Sequence, residues 1–196
     1  MNYCSQCGAQ VTQQVPAGDT RARYVCTQCH QVHYQNPKVV TGCIVEWEQQ
    51  LLLCRRAIQP RYGYWTVPAG FMENGETTYQ GAMRETWEEA QARVELQGLY
   101  LTINLPKINQ VYLLFRARLT ELKFAPGVES LATDLFTEDQ IPWEQLAFPT
   151  VAASLRCYFA DRAAGCFTQR MADIIEQTDD PEGYRVDFLE APLRTG

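Results

Sequence analysis

At 196 residues the chain is long enough for one well-buried domain and a small appendage. Its 46% hydrophobic and 20% charged residues form an ordinary globular balance, which excludes an intrinsically disordered chain. A net charge of −6 leaves no electrostatic footprint for nucleic acid or an anionic membrane, so a polyanionic substrate must be recruited through local cations or a bound metal.

The N-terminal stretch Asn2-Tyr3-Cys4 leads straight into a cysteine motif, so no leader is expected, and no apolar run reaches membrane-spanning length. Residues 1–36 carry Cys4-x-x-Cys7 and, after an 18-residue gap, Cys26-x-x-Cys29. Four thiolates in two such pairs match the tetrahedral Cys₄ site that Zn²⁺ takes in structural ribbons, whereas two redox pairs are the competing reading. Four protein ligands close the shell, so this zinc is expected to be structural. Gly8 suits the tight turn of a zinc knuckle, and His30 and His33 are read as bystanders. Arg21 and Arg23 alone are too few for a phosphate-binding face. Reduced, metal-binding cysteines imply a cytoplasmic location.

Asn36-Pro37 reads as the turn into a main domain over 37–165. Val39 to Trp47 and Leu51 to Arg55 predict a hairpin around Glu48-Gln49-Gln50. Tyr62 and Tyr64 are candidates to stack a nucleobase, and Trp65 reads as core. Thr77-x-x-Gln80 has the form of a capping box that starts a helix. Strands are expected at Val94–Leu105 and Asn109–Leu119 and, after a loop holding Pro126, Gly127 and Glu129, at Leu131–Phe136. Pro149–Ala164 predicts a helix with proline in its first turn. A C-terminal extension over 166–196 gives weak signals, with a strand, a short helical turn around Met171–Glu176 and a tail. Cys43, Cys54, Cys157 and Cys166 read as small core residues.

The chemistry concentrates in Gly70 to Glu89, GFMENGETTYQGAMRETWEE. At about 100° per residue, Glu85, Glu88 and Glu89 share a narrow arc of a helix, with Tyr79, Ala82, Met83, Thr86 and Ala90 on the far side. Crowded carboxylates repel unless a cation sits among them, and hard Mg²⁺ or Mn²⁺ prefers such oxygens. Arg84 can pair with Glu88 along the helix or reach back to the loop. A solvated acidic face is the bland alternative.

Gly70, Glu76, Arg84, Glu85, Glu88 and Glu89 stand in the register G-x₅-E-x₇-R-E-x-x-E-E, which resembles the box of the Nudix hydrolases. Thr86 and Ala92 replace the two aliphatic positions and Gln91 replaces the glycine, which touches helix packing and the helix end but leaves the charged set intact. The resemblance implies an α/β/α sandwich around a mixed sheet, preceded by the small Cys₄ zinc ribbon. It implies Glu85, Glu88 and Glu89 as ligands of Mg²⁺, with the Gly70 backbone close by and Arg84 orienting Glu76. Glu129 is the candidate for a further glutamate, acting as ligand or general base; its alternative is a solvated loop carboxylate.

A four-cysteine ribbon leading through Tyr34-Gln35-Asn36-Pro37-Lys38 is similar to two groups, NADH pyrophosphatases and a group that hydrolyses FAD or ADP-ribose. The S-Q-P-W-P-F-P-x-S signature of the former is missing; Leu96 to Asn109 reads LQGLYLTINLPKIN. Arg55 to Pro60, Gly81 to Glu89 and Phe124 to Ser130 resemble the latter. The resemblance implies hydrolysis of a nucleoside diphosphate linked to another moiety, ADP-ribose or FAD, releasing AMP. NADH, the capped end of RNA, or a ligand sensor without turnover are the alternatives. It also implies a homodimer acting on a small nucleotide, while the missing apolar run and the missing basic patch argue against a membrane or nucleic acid as partner.

Overall fold

The computed structural model describes residues 1–177 and 183–189, in two compact units, Met1–Pro37 and Lys38–Gly196. Among the described residues no helix is long and apolar enough to cross a membrane.

The first unit is a three-stranded antiparallel sheet, β1 (Val11–Gln14), β2 (Arg23–Cys26) and β3 (Val32–His33). Gly8 turns the chain after Cys7 with φ 74°, a left-handed angle that glycine adopts without steric cost, and its N–H donates to the Cys4 carbonyl. The Sγ atoms of Cys4, Cys7, Cys26 and Cys29 lie within 4.8 Å of one another, a group sized for one tetrahedral ion. The amides of Gln28 and Cys29 each donate to Cys26 Sγ at 3.4 Å. Led by the Cys29 amide, these bonds pull the Cys26 thiol down to about 6, towards the thiolate a metal needs. His33 Nε2 stands 3.3 Å from Cys4 Sγ, beside the four-thiol group. Because so short a sheet buries little apolar surface, the ion must supply most of its stability. Cys26→Ser is therefore expected to lower the zinc-to-protein ratio and abolish hydrogen-exchange protection in β1–β3. Protection in the second unit should persist.

The second unit is built on a mixed sheet with β4 (Lys38–Trp47), β5 (Gln50–Arg56), β6 (Trp65–Thr66), β7 (Ala69–Phe71), β8 (Val94–Leu105), β9 (Gln110–Leu119), β10 (Ser130–Phe136), β11 (Arg170–Glu176) and β12 (Tyr184–Leu189). The order is β10-β5-β4-β9-β8-β11-β12, with β6 on β5 and β7 on β4; β4/β9 and β8/β11 are parallel and the other pairs antiparallel. Alternation divides the core. Cys43, Val45, Phe115 and Ala117 face α1 (Thr78–Ala90), while Ile44, Leu114, Leu101 and Ile103 face α2 (Pro149–Ala164). The result is the expected helix–sheet–helix sandwich.

Three expectations are corrected. Residues 170–176 form a strand and not a helical turn, because Arg170–Asp173 pair in parallel with Leu101–Asn104. Cys166 is exposed just past the end of α2, and Cys157 is half-buried between Tyr100 and Arg170; only Cys43 and Cys54 are core thiols. Tyr79 and Met83 are exposed, so α1 anchors through Gly81, Ala82, Thr86 and Ala90. The far end of the extension, 190–196, and the segment 178–182 lie outside the described residues.

Candidate active site

The site begins where β7 hands the chain to α1. Thr77 caps the helix, its hydroxyl accepting from Gln80 N–H while the Gln80 side chain accepts from Thr77 N–H, so both halves of the capping box form. At the other end Gln91 takes the left-handed cap (φ 48°) and donates to the Trp87 carbonyl. The helix thus ends at Ala90 without the glycine found in the motif.

Arg84 is the hub. Its Nε and Nη2 hold the two Glu76 oxygens at 3.0 and 2.8 Å in a bidentate fork, and Nη2 also donates to the Phe71 carbonyl at 3.0 Å. Nη1 reaches Glu85 and Glu88, both at 2.8 Å. The fork holds the Glu76 carboxyl down to about 2. Gly70 lies under this group because a Cβ there would stand 2.4 Å from Glu85 Oε2.

Glu89 is different. It is buried, accepts one hydrogen bond from Ala69 N–H at 3.2 Å, and among the described residues has no lysine or arginine within ion-pair distance. Burial pushes its carboxyl up to about 8, and burial also raises Glu85. A buried carboxylate with no cation in ion-pair contact, reached only through space by the Arg56 charge, stands beside Glu85, Glu88 and the close-approach Gly70, a donor set suited to a divalent ion. In this state Arg84 holds Glu85 and Glu88; among the described residues only the cysteine group brings three or more ligand atoms within 4.8 Å of one another.

The linkage has a definite sign. An acid whose folded value is raised stabilises the protein fully below its unfolded value, near 4.5, and that contribution is lost as pH rises through about 8. The cation-free protein is therefore expected to lose thermal stability as pH rises from about 4.5 to about 8, and no further above that. The gain in Tm on adding Mg²⁺ should grow over the same window, as thermal denaturation with and without the ion will show.

A cavity of about 1270 Å³ opens over these groups. It is bordered by Gly70, Glu85, Glu88 and Glu89 and also by Glu129. The negative charge of Glu129 contributes to raising both Glu85 and Glu89. The Glu129 loop is fixed to α1 by Gly127 N–H on the Glu89 carbonyl at 3.0 Å and by Ala125 N–H on that of Ala90. A Cβ at Gly127 would fall 1.6 Å from the Glu88 carbonyl oxygen, so no other residue allows this approach.

Tyr62 and Tyr64 do not border the cavity; Tyr62 is 54% exposed and Tyr64 carries the Arg61 guanidinium over its ring. Two other residues do, and their types alone did not single them out. Arg56 is buried, donates through Nε to the Pro60 carbonyl at 2.9 Å and lies 5.0 Å over the Phe148 ring; it makes no contact ion pair among the described residues, and its charge acts on Glu89 through space. Thr150, in the first turn of α2, is buried, and its hydroxyl has no hydrogen-bond partner among the described residues. The Arg55-Arg56 doublet carried a weak signal, since alternation in a strand sends one of two adjacent arginines inward.

Comparison with known proteins places these features. The Nudix N-terminal zinc-ribbon model matches residues 2–35 and the NUDIX domain model matches residues 36–155. A crystal structure of a NUDIX hydrolase from Nitrosomonas europaea is 54% identical and superposes with a TM-score of 0.86, covering 90% of this chain and 100% of that one. A MutT-like protein of Streptomyces ambofaciens is 33% identical over 52% of this chain and 64% of its own length. The NAD-capped RNA hydrolase NudC of Photorhabdus laumondii is 26% identical over 71% of this chain and 53% of its own, so the chain spans only about half to two thirds of these two relatives. Domain models that account for the ribbon and for most of the second unit, including the whole loop–helix site, establish that the chain belongs to the Nudix family.

Proposed function

We propose that the chain hydrolyses the diphosphate bond of a nucleoside diphosphate joined to a second moiety, with ADP-ribose or FAD favoured and AMP as one product. The observation that supports this best is buried Glu89, with no cation in ion-pair contact among the described residues, beside Glu85 and Glu88 at the floor of a cavity that also holds the Arg56 guanidinium, whose charge reaches Glu89 through space. Glu85, Glu88 and Glu89, with the Gly70 carbonyl, would hold Mg²⁺ or Mn²⁺. When bound, such ions polarise a phosphoryl oxygen and favour ionisation of an attacking water. Arg84 keeps Glu76 and the helix carboxylates in register. Arg56, aimed at the same space, would donate to the phosphoryl oxygens and stabilise the charge that builds on them. Glu129 would take the proton of the attacking water or complete the cation's shell. Water adds to one phosphorus, the bridging oxygen leaves with the other, and two phosphate monoesters result.

The N-terminal four-cysteine group would hold Zn²⁺ for structure only, and its free thiols suit a reducing compartment such as the cytoplasm. The relative named NAD-capped RNA hydrolase supports a second reading, in which NADH or NAD-capped RNA is the substrate. Against it stands the missing S-Q-P-W-P-F-P-x-S signature. Turnover of ADP-ribose, FAD, NADH and NAD-capped RNA with Mg²⁺, followed by release of AMP or, for the RNA, of a 5′-monophosphate end, decides between them. A rate on NADH or capped RNA far above the others would overturn the favoured substrates, and no release from any would overturn the reaction.

A further inference from the structure

The four sulfurs of the N-terminal unit are not equivalent. Cys4 and Cys26 are buried, with 4% and 1% exposure, whereas Cys7 and Cys29 are exposed. Hydrogen bonding follows the same division. Cys26 Sγ accepts from the amides of Gln28 and Cys29, and Cys4 Sγ accepts from the Gln6 amide at 3.4 Å. His33 adds a second contact to Cys4, with its Nε2 at 3.3 Å. A metal-bound thiolate offers only lone pairs, so the ring meets it as a donor, through Nε2–H. Cys29 has one amide beside it, that of Gln31. Of the four, Cys7 has no N–H donor to its sulfur among the described residues.

Exposure and hydrogen bonding act on reactivity in the same direction. Oxidation of a thiolate follows its accessibility, and an N–H donor draws on the electron pair with which sulfur attacks. Cys7 is therefore the sulfur most open to an electrophile. Two sulfurs stand ready to resolve it, since Cys26 Sγ and Cys29 Sγ each lie 3.5 Å from Cys7 Sγ. Cys26 is buried and held by two amides, whereas Cys29 is exposed and has one. A disulfide is about 2.05 Å long, a closure that two exposed side chains can make. The favoured pair thus joins one Cys-x-x-Cys motif to the other.

Resting on the reading that this group holds Zn²⁺, we propose that Cys7 and Cys29 are a peroxide-oxidation site, which closes to a disulfide between the two motifs with loss of the ion. The Cys7 thiolate attacks one oxygen of hydrogen peroxide; the O–O bond breaks, a sulfenic acid forms and hydroxide leaves. The Cys29 thiolate then attacks the Cys7 sulfur, the S–S bond forms and a second hydroxide leaves. Each sulfur gives up one electron, peroxide takes both, and the hydroxides take protons from solvent to become water. Cys4 and Cys26 alone are too few for a tetrahedral Zn²⁺ shell. Their thiols survive, so a dithiol reductant and Zn²⁺ restore the site.

The test uses the full chain with Cys166→Ser, which removes the remaining exposed thiol. Metal content is measured first. Hydrogen peroxide is then added while a chromogenic chelator follows Zn²⁺ release, and alkylation with peptide mass spectrometry maps every cysteine. One Zn²⁺ lost per disulfide is expected, with Cys7 joined to Cys29 and with Cys4 and Cys26 alkylated. Dithiothreitol and Zn²⁺ should return the metal content to its starting value. His33→Phe keeps all four ligands and should raise the share of cross-links that contain Cys4 about fivefold, the worth of one hydrogen bond. A link within either Cys-x-x-Cys motif, or Zn²⁺ release without a disulfide, overturns the oxidation site. An unchanged share of Cys4 in His33→Phe overturns the protection by N–H donors. A chain that takes up no zinc overturns the metal reading, and the cysteine map then decides the Cys7–Cys29 assignment by itself.

Discussion

Glu89→Gln is expected to abolish turnover while making the cation-free protein more stable at alkaline pH. The substitution keeps the volume and an oxygen to accept the Ala69 N–H, so the local structure persists. What it removes is a charge that burial strongly disfavours, one whose carboxyl is pushed up to about 8. At about 1.4 kcal/mol per pKa unit, stabilisation on the order of 2–4 kcal/mol is expected at pH 9, fading towards pH 4.5 where the carboxyl is protonated folded or unfolded. Turnover should fall on the order of 10²-fold or more, the scale of losing one preorganised electrostatic group. The Mg²⁺-dependent rise in Tm should shrink with it. Denaturation curves at pH 6 and 9, paired with AMP release, check both halves. A variant that is active and no more stable would show that Glu89 neither binds the ion nor suffers from its burial.

Arg84→Lys should be nearly as damaging, for a different reason. A guanidinium spans Glu76 with a two-pronged fork and still reaches Glu85, Glu88 and the Phe71 carbonyl. An ammonium is a compact charge with three donors on a flexible stem and cannot hold that geometry. The cation-free variant is expected to melt several degrees lower, and activity should drop on the order of 10²-fold. Mg²⁺ should recover more of the Tm in the variant than in wild type, because the ion can neutralise Glu85 and Glu88 in place of the arginine. Equal Mg²⁺ effects in the two proteins would argue that the ion binds elsewhere.

The parts of this fold that were legible from sequence are those in which a local pattern does the work. The reciprocal Thr77–Gln80 cap, the hairpin of β4 and β5 around Glu48, and Pro149 at the start of α2 each need only a few neighbouring residues. The charged set was legible because its spacing fixes its face. Arg170–Glu176 was not, since Met, Ala, Ile and Glu all suit a helix; pairing with β8, some 70 residues away, decides for a strand. Arg56 was hidden for a related reason. Leu51 to Cys54 are buried on both faces of a central strand, so no alternation remained to say which arginine turns inward. Tyr62 and Tyr64, close to the loop in sequence, stand outside the lining of the cavity. The cavity instead draws Tyr112, Phe148 and Tyr184 from three separate elements.

Gly127 gives the site a mechanical character. With its backbone pressed on the last turn of α1 and its N–H on the Glu89 carbonyl, the loop bearing Glu129 has no free travel relative to the helix bearing the other glutamates. The acidic jaw therefore behaves as one rigid anvil. A residue larger than glycine at 127 would push against the Glu88 carbonyl and so shift the Glu129 loop and the last turn of α1 against each other, disturbing two carboxylates at once.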